Sequence, residues 1–226
     1  MTKTRQYRHE LKFTITKKCA KILKDRLMSI MSVDENGRNG YFIRSLYFDT
    51  PNSDAYYEKI DGAPYRKKYR IRIYNGDDDF IRLEKKMKHN NMTAKEQVNI
   101  SRITCEKILN NAISIYDLDD GLLKEFLIEL KTKHLIPSVI VDYDRLALTY
   151  PVSDVRITFD SNIRSGKYNY NLFNYKENEY SAIDNDLLVL EVKFNEVLPE
   201  AIAIILSTIP SNRQAFSKFA ACRSIK

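Results

Sequence analysis

Apolar and ionic residues alternate strictly along several short stretches of this chain. In the clearest one, residues 66–74, Arg70 and Arg72 alternate with Ile71 and Ile73. Successive side chains of a β-strand point to opposite faces, so such a stretch predicts a strand with one ionic and one apolar face. The same pattern occurs in residues 8–13, 81–87 and 190–194.

The hydrophobic pattern predicts most secondary-structure elements. Strands are predicted over residues 7–15, 41–48, 65–74, 80–88, 95–101, 138–150, 155–160 and 187–195. Apolar residues at helical spacing predict helices over residues 17–32, 104–111, 119–134, 198–207 and 213–223, with a short helix opened by residues 50–53. Thr104 is the expected cap of the second of these. Residues 75–79 form a hairpin turn, and residues 166–186 form a polar connection.

The fold class follows from how these elements can pack. The chain contains no linker, repeat or low-complexity tract, so residues 1–226 are predicted to form a single α+β domain. Each pattern taken singly is typical of a strand with one face in water. Because helices cover the apolar strand faces, the ionic faces together favour an eight-stranded antiparallel β tunnel or barrel with a basic interior and helices packed outside. Such an interior must be wet and occupied by an anion.

The composition of the chain limits the classes of binding partner that we expect. The chain has 37 Lys and Arg against 30 Asp and Glu, a net charge of +7, which indicates polyanionic partners such as nucleic acid, anionic lipid or phosphate compounds. Three scattered Cys indicate neither a zinc site nor a disulfide framework. The chain has no apolar run of ~20 residues and no signal region. We therefore expect a cytoplasmic protein without direct membrane insertion.

The ionic faces also carry carboxylates. Glu10, Glu84 and Glu191 alternate with apolar residues in the same register as the cations. Carboxylates in this setting pair with Lys and Arg, or hold a hard divalent cation through oxygen ligands. A metal that bridges carboxylate and phosphate oxygens is typical of phosphoryl transfer.

Eight motifs in order extend this picture to a family. They are YRHELKF (7–13), SLYFDT (45–50) followed by Tyr56-Tyr57, YRIRIY (69–74), LEKK (83–86), YDRLA (143–147), VRITFD (155–160), LEVK (190–193) and FSKF (216–219). Together they resemble the VTC domain of polyphosphate polymerases, a branch of the triphosphate tunnel metalloenzymes related to CYTH proteins. The resemblance covers nearly the whole chain.

The resemblance implies an ATP-dependent polyphosphate polymerase that transfers the γ-phosphoryl group of ATP to a growing polyphosphate chain, assisted by Mn²⁺ or Mg²⁺. The catalytic residues it implies are Arg70, Arg72, Lys86, Arg145 and Glu191. The phosphate-binding residues it implies are Lys12, Lys59, Tyr143, Arg156, Lys193, Ser217 and Lys218, with Tyr143 and Ser217 as neutral hydrogen-bond donors. Glu191 is the implied metal ligand, and Glu10 is a second candidate.

Two positions depart from related patterns. Arg8 stands where the broader superfamily begins an ExExK motif, which argues against a CYTH hydrolase that takes two acidic ligands from its first strand. Ala215 stands where the better-known eukaryotic enzymes have a lysine, so one chain-binding cation is missing or replaced. The eukaryotic accessory domain and membrane segments are not found here, which implies a bacterial single-domain type with a separately encoded membrane protein as candidate partner and membrane association through it.

Alternatives stay open at this point. One is a tunnel-fold triphosphatase that hydrolyses inorganic or organic triphosphates. Another is a non-catalytic module that binds polyphosphate or inositol phosphates. Nucleic acid is not an expected partner, because Tyr47 and Tyr69 lie in strand patterns that favour packing over base stacking. In the run of residues 85–89, which is typical of a solvated strand end, only Lys86 is expected to face inward, and the other members are expected in solvent.

Overall fold

The computed structural model describes residues 7–35, 37, 39–90, 92–118, 120–174, 176, 178, 180–210, 212–213 and 216–225. The strands are β1 Arg8–Thr16, β2 Ser32–Val33, β3 Tyr41–Asp49, β4 Tyr65–Tyr74, β5 Asp77–His89, β6 Met92–Ile100, β7 Ile136–Tyr150, β8 Val155–Ser165, β9 Tyr180–Ser181, β10 Leu187–Phe194 and β11 Asn212–Arg213. The helices are α1 Lys17–Leu27, α2 Asp54–Ile60, α3 Arg102–Leu109, α4 Gly121–Thr132, α5 Glu200–Ser207 and α6 Lys218–Arg223.

Eight antiparallel strands form a closed ring. Their order around the ring is β7, β3, β4, β5, β6, β1, β10 and β8, and β8 pairs with β7 again. The β6–β1 junction is short, with Arg8 opposite Thr93 and His9 opposite Met92. The predicted α+β fold with eight mostly antiparallel strands is confirmed. The ring directs one face of every strand inward.

Helices cover the outer face of the ring in two places. On one side α3 and α4 pack on β3, β4 and β5 through a core that includes Leu46, Ile71, Leu83 and Phe126, each fully buried. On the other side α1 and α5 pack on β8 and β10 through residues such as Leu23. Each fully buried aliphatic side chain contributes roughly 2 kcal/mol. These two cores account for the apolar faces of the alternating strands.

Helix α6 packs on the inner face instead. Phe219 and Cys222 contact Val141 and Val189, which share their strand faces with Tyr143 and Glu191 because side chains alternate. The side chain of Ser217 caps this helix by accepting a hydrogen bond from the backbone N–H of Ala220. The helix therefore fills part of the ring interior and holds its first residues against the remaining space.

Several predicted element boundaries are wrong. The predicted helix 17–32 ends at Leu27, and Met31, although it packs in the same core, lies beyond the end of the helix. The predicted helix 213–223 begins only at Lys218, and Arg213 belongs to a short strand paired with β1. Ser101 rather than Thr104 caps α3, through its side chain and the Thr104 N–H. Asp119, the predicted start of α4, lies outside the described residues.

The polar connection before β10 is only partly irregular. β9 pairs with β8, and the buried Asp142 carboxylate accepts hydrogen bonds from the Asn178 side chain and from Arg44. Arg44 also donates to the backbone carbonyl of Lys176. A buried ion pair on the outer face of the ring thus fastens this segment. None of the helices in the described part of the chain is long and apolar enough to cross a membrane.

Candidate phosphate-binding cavity

The ring encloses a cavity of about 1320 Å³. Among its described lining residues, twelve are Lys or Arg and three are Asp or Glu. This excess of cations at the wall of a partly enclosed space attracts anions with several negative charges. The cavity therefore has the electrostatics that a chain of phosphates requires.

Most residues singled out in the sequence meet at this cavity. The predicted site residues that line it are Lys12, Arg70, Arg72, Lys86, Tyr143, Arg145, Arg156, Glu191, Lys193, Ser217 and Lys218. Glu10 is not among the lining residues, but its side chain is 5% exposed and contacts three of the lining lysines. Lys59 does not line the cavity either; it lies half-buried on α2 near Arg66, whose charge adds to burial in lowering the pKa of Lys59.

Glu191 lies at the centre of a group of lysines. One of its oxygens is 2.7 Å from Lys218 Nζ and 3.5 Å from Lys12 Nζ, and the other is 3.2 Å from Lys193 Nζ. Burial opposes its charge, but these ammonium groups outweigh burial and hold the pKa of Glu191 well below its ordinary value. Glu191 is therefore ionised and available as an oxygen ligand.

Glu10 binds Lys86 in the same way. Its two oxygens are 2.8 and 2.9 Å from Lys86 Nζ. Burial opposes ionisation of Glu10, and Lys12 and Lys86 outweigh it, so the pKa of this carboxyl is lowered. Burial lowers the pKa of Lys86 to about 8, although Glu10 opposes the shift. A bound phosphate would favour the charged form of Lys86 and raise its pKa again.

Glu10 and Glu191 form a donor set that fits a divalent cation. They lie on the paired strands β1 and β10 and share Lys12 and Lys193 as neighbours. No group of three or more His, Cys, Asp or Glu in the described part of the chain could hold a metal ion alone. Mg²⁺ usually takes one or two carboxylates and completes its shell with substrate phosphates and water, and two ionised carboxylates suit that arrangement.

The two arginines of β4 are oriented by fixed partners. Arg70 donates to Glu84 at 2.6 Å and to the Tyr47 hydroxyl at 2.7 Å. Arg72 donates to the Ser45 hydroxyl and to the Tyr143 hydroxyl, each at 2.9 Å. Glu84 is fully buried behind them. Because each guanidinium carries five N–H groups, donors of both remain for a ligand in the cavity.

Asp160 is a functional candidate that the sequence reasoning missed. It is fully buried, binds Arg145 through two hydrogen bonds and lies 2.5 Å from Lys218 Nζ. The signal was present in the sequence, since Arg156, Thr158 and Asp160 alternate along β8 and share one face. Asp160 orients two cations from beneath the cavity wall.

Lys68 lies on the cationic face of β4, two residues before Arg70, and lines the cavity. Its ammonium lies 4.8 Å above the ring of Phe219, and no described Asp or Glu forms an ion pair with it. Burial, together with the nearby charges of Lys86 and Lys12, lowers the pKa of Lys68 well below its ordinary value. A cation without a carboxylate partner inside the cavity is poised to bind an anion.

The expectation that the neighbours of Lys86 lie in solvent is wrong for Lys85 and for Met87, both of which are buried. Lys85 is 2% exposed and pairs with Glu125 of α4 at 2.6 Å and Glu96 of β6 at 3.2 Å. It belongs to the outer face of the ring, where α4 covers it. Ala215, the position of the expected lysine, lies outside the described residues.

The comparisons with known proteins agree with this architecture. Residues 7–225 match the family model described as the VTC domain. No curated protein matches the chain.

Solved structures of similar fold come from several organisms. A putative adenylate cyclase from Bacillus halodurans is 14% identical, with a TM-score of 0.53 over 91% of this chain and 88% of that one. A putative adenylyl cyclase from Hippeastrum, described as having a dominant triphosphatase activity, is 15% identical, with a TM-score of 0.52 over 97% and 95%. The PH1819 protein from Pyrococcus horikoshii is 12% identical, with a TM-score of 0.50 over 94% and 96%. At these identities the likeness concerns the fold.

Proposed function

Because this chain belongs to the VTC domain family, we propose that it is an ATP-dependent polyphosphate polymerase, which transfers the γ-phosphoryl group of ATP to a growing polyphosphate chain inside the ring. The observation that carries the proposal is the enclosed cavity whose described lining has four times as many cationic as anionic residues. A phosphoryl group needs little covalent help from a protein; it needs alignment and compensation of its charge.

The arginines supply the alignment in this proposal. Hydrogen bonds to buried partners hold Arg70, Arg72 and Arg145 in place. These side chains therefore lose little conformational entropy when a substrate binds. A guanidinium binds phosphate oxygens through two parallel hydrogen bonds. Together with Lys86, these groups would compensate charge on the transferred group.

Other cations would hold the rest of the phosphate chain. They are Lys12, Arg156, Lys193 and Lys218, with Lys59 as a candidate beyond the cavity lining. The hydroxyl of Tyr143 accepts from Arg72, and that of Ser217 accepts from a backbone N–H. Both hydroxyls therefore keep their own proton to donate to a phosphate oxygen.

A divalent ion is part of the proposal. Glu191, with Glu10, would hold Mn²⁺ or Mg²⁺, and the ion would neutralise negative charge on the phosphates. Lys12 and Lys193, which neutralise both carboxylates in the ligand-free arrangement, would then turn to the phosphates.

Hydrolysis of triphosphates is the second candidate. It is favoured by the Hippeastrum protein, which has this fold and is described as a triphosphatase. The same alignment of a triphosphate serves both reactions, and the acceptor decides between them. Polyphosphate chain growth requires a phosphate acceptor in the cavity, whereas hydrolysis requires water.

Incubation of the purified protein with ATP and Mn²⁺ tests the proposal, with products analysed by polyacrylamide gel and ³¹P NMR. A ladder of phosphate polymers is expected from the wild type, and none from Glu191→Gln or Arg70→Ala. Lys21→Ala, on the exposed face of α1, is the matched control and should retain the ladder. Orthophosphate without polymer would instead identify a triphosphatase, and binding without turnover would identify a binding module.

A further inference from the structure

The inward-facing residues of β4 and β5 change from cationic to aromatic at one end of the cavity, where the first residue of β3 is also aromatic. Along β4 the inward residues Lys68, Arg70 and Arg72 are followed by Tyr74, and along β5 the inward Arg82 is followed by Phe80 toward the same hairpin. Tyr41, the first residue of β3, lies beside Tyr74. All three aromatic residues line the cavity. We call Tyr41, Tyr74 and Phe80 the aromatic end.

The three rings form a connected, half-buried surface. The ring centroids of Tyr74 and Phe80 are 5.8 Å apart, and those of Tyr41 and Tyr74 are 6.1 Å apart. The Arg72 guanidinium lies 5.9 Å from the centre of the Tyr74 ring. Two residues along a strand span about 7 Å, so the aromatic end follows directly after the arginines assigned above to phosphate.

Arg82 lies at the boundary between the two regions. Its guanidinium is 4.4 Å from the centre of the Phe80 ring and 5.6 Å from that of Tyr74. Its Nε is buried and has no hydrogen-bond partner in the described part of the chain. Arg70 forms an ion pair with Glu84, whereas Arg82 forms none with any described carboxylate. A stacked arginine with free donors is suited to a ligand that combines negative charge with a flat ring.

We propose that the aromatic end is a nucleobase subsite, which stacks the base of a nucleoside triphosphate whose phosphates lie on the neighbouring cations. Arg82 would donate hydrogen bonds to the phosphate nearest the ribose. This inference rests on the proposed function and deepens it, because it states which residues bind the nucleoside part of the donor. Bare inorganic triphosphate would bind the cations alone and gain nothing from the rings.

The subsite accounts for a feature that phosphate binding does not explain. A cavity for inorganic phosphates alone gains nothing from aromatic rings beside the cations, since phosphate oxygens prefer N–H and O–H donors. Ring faces are suited to the π-face of a base, and such stacking tolerates every base. The aromatic end therefore favours ATP over tripolyphosphate without demanding adenine.

Isothermal titration of ATP and of tripolyphosphate into the wild type, Phe80→Leu and Tyr74→Leu tests the proposal. We expect each substitution to weaken ATP binding roughly tenfold and to leave tripolyphosphate binding unchanged. Tyr116→Leu, at a residue that is 96% exposed outside the cavity, is the control and should change neither affinity. Circular dichroism verifies that the variants are folded.

Saturation-transfer NMR on the wild type with ATP adds a readout that needs no variant. Transfer to the adenine protons is expected, and Tyr74→Phe, which keeps the ring, should preserve it. The subsite would be overturned if Phe80→Leu and Tyr74→Leu lowered the affinities for ATP and tripolyphosphate equally, or lowered neither affinity. If the wild type bound neither ATP nor tripolyphosphate, the proposed function itself would be refuted.

Discussion

Asp160 binds Arg145 through two hydrogen bonds, Nε to Oδ1 at 2.6 Å and Nη2 to Oδ2 at 2.7 Å. The carboxylate is fully buried and the guanidinium nearly so. Asp160 lies behind the cavity wall while Arg145 lines it. The pair therefore fixes the direction in which an arginine presents its remaining donors to the cavity.

Asp160→Asn is expected to lower the free energy of unfolding by about 3 kcal/mol, because it leaves buried cations without their partner. Chemical denaturation measures this change. Asp25→Asn, at an exposed position of α1, is the control and should alter stability by less than about 0.5 kcal/mol. Unchanged stability in Asp160→Asn would show that Glu191 alone suffices to hold Lys218 and Arg145.

The adjacent residues Lys85 and Lys86 should respond in opposite ways to the same substitution. Lys85→Met removes a buried ion pair with α4 and should cost about 2 kcal/mol of stability with tripolyphosphate affinity unchanged. Lys86→Met should weaken tripolyphosphate binding roughly tenfold, the loss of one charge-assisted contact, with a smaller effect on stability. Thermal denaturation and titration calorimetry on both variants measure the contrast. Equal loss of affinity in both variants would contradict the assignment of Lys85 to the outer face.

Binding of tripolyphosphate should consume protons at any pH at which Lys68 is deprotonated in the free protein. Burial, and then the charges of Lys86 and Lys12, lower the pKa of Lys68 from its usual 10.5, so the free protein loses this proton earlier than an exposed lysine would. A bound polyanion favours the charged form and raises the pKa again. Affinity should therefore fall as the pH rises from the lowered pKa toward 10.5.

Calorimetry in buffers of different ionisation enthalpy measures this proton uptake. Lys68→Arg stays charged throughout this range, so it should take up fewer protons and show a flatter dependence of affinity on pH. If the wild type and Lys68→Arg take up the same number of protons, Lys68 is not the group that titrates.

Removal of divalent cations should separate binding from turnover. The lining lysines and arginines belong to the protein and stay in place without metal, so tripolyphosphate should still bind in the presence of a chelator. Turnover of ATP should stop, since the proposed reaction needs an ion held by Glu191. ³¹P NMR before chelation, after it and after addition of Mn²⁺ follows the reaction. Undiminished turnover in the chelator would contradict the proposed role of the metal.

Much of the candidate site could be predicted from local sequence. Arg70, Arg72 and Lys86 were placed on inward faces by their period-two spacing alone, and all three line the cavity. The outcome differs at Lys85, which has outward parity but is buried rather than solvated. The position of a residue in the alternation predicts the strand face on which its side chain lies. Its burial depends on whether a distant helix, here α4, covers that face.

The amino-acid sequence determined which residues share a strand face, because alternation is a local property of the extended backbone. It also determined that the apolar faces need helices to cover them. Closure of the ring, by contrast, places α6 inside the ring, brings Asp160 between Arg145 and Lys218, and leaves Lys68 without a carboxylate partner among the described residues. These relationships join strands and helices far apart in sequence, and they follow from the order and register in which the ring closes.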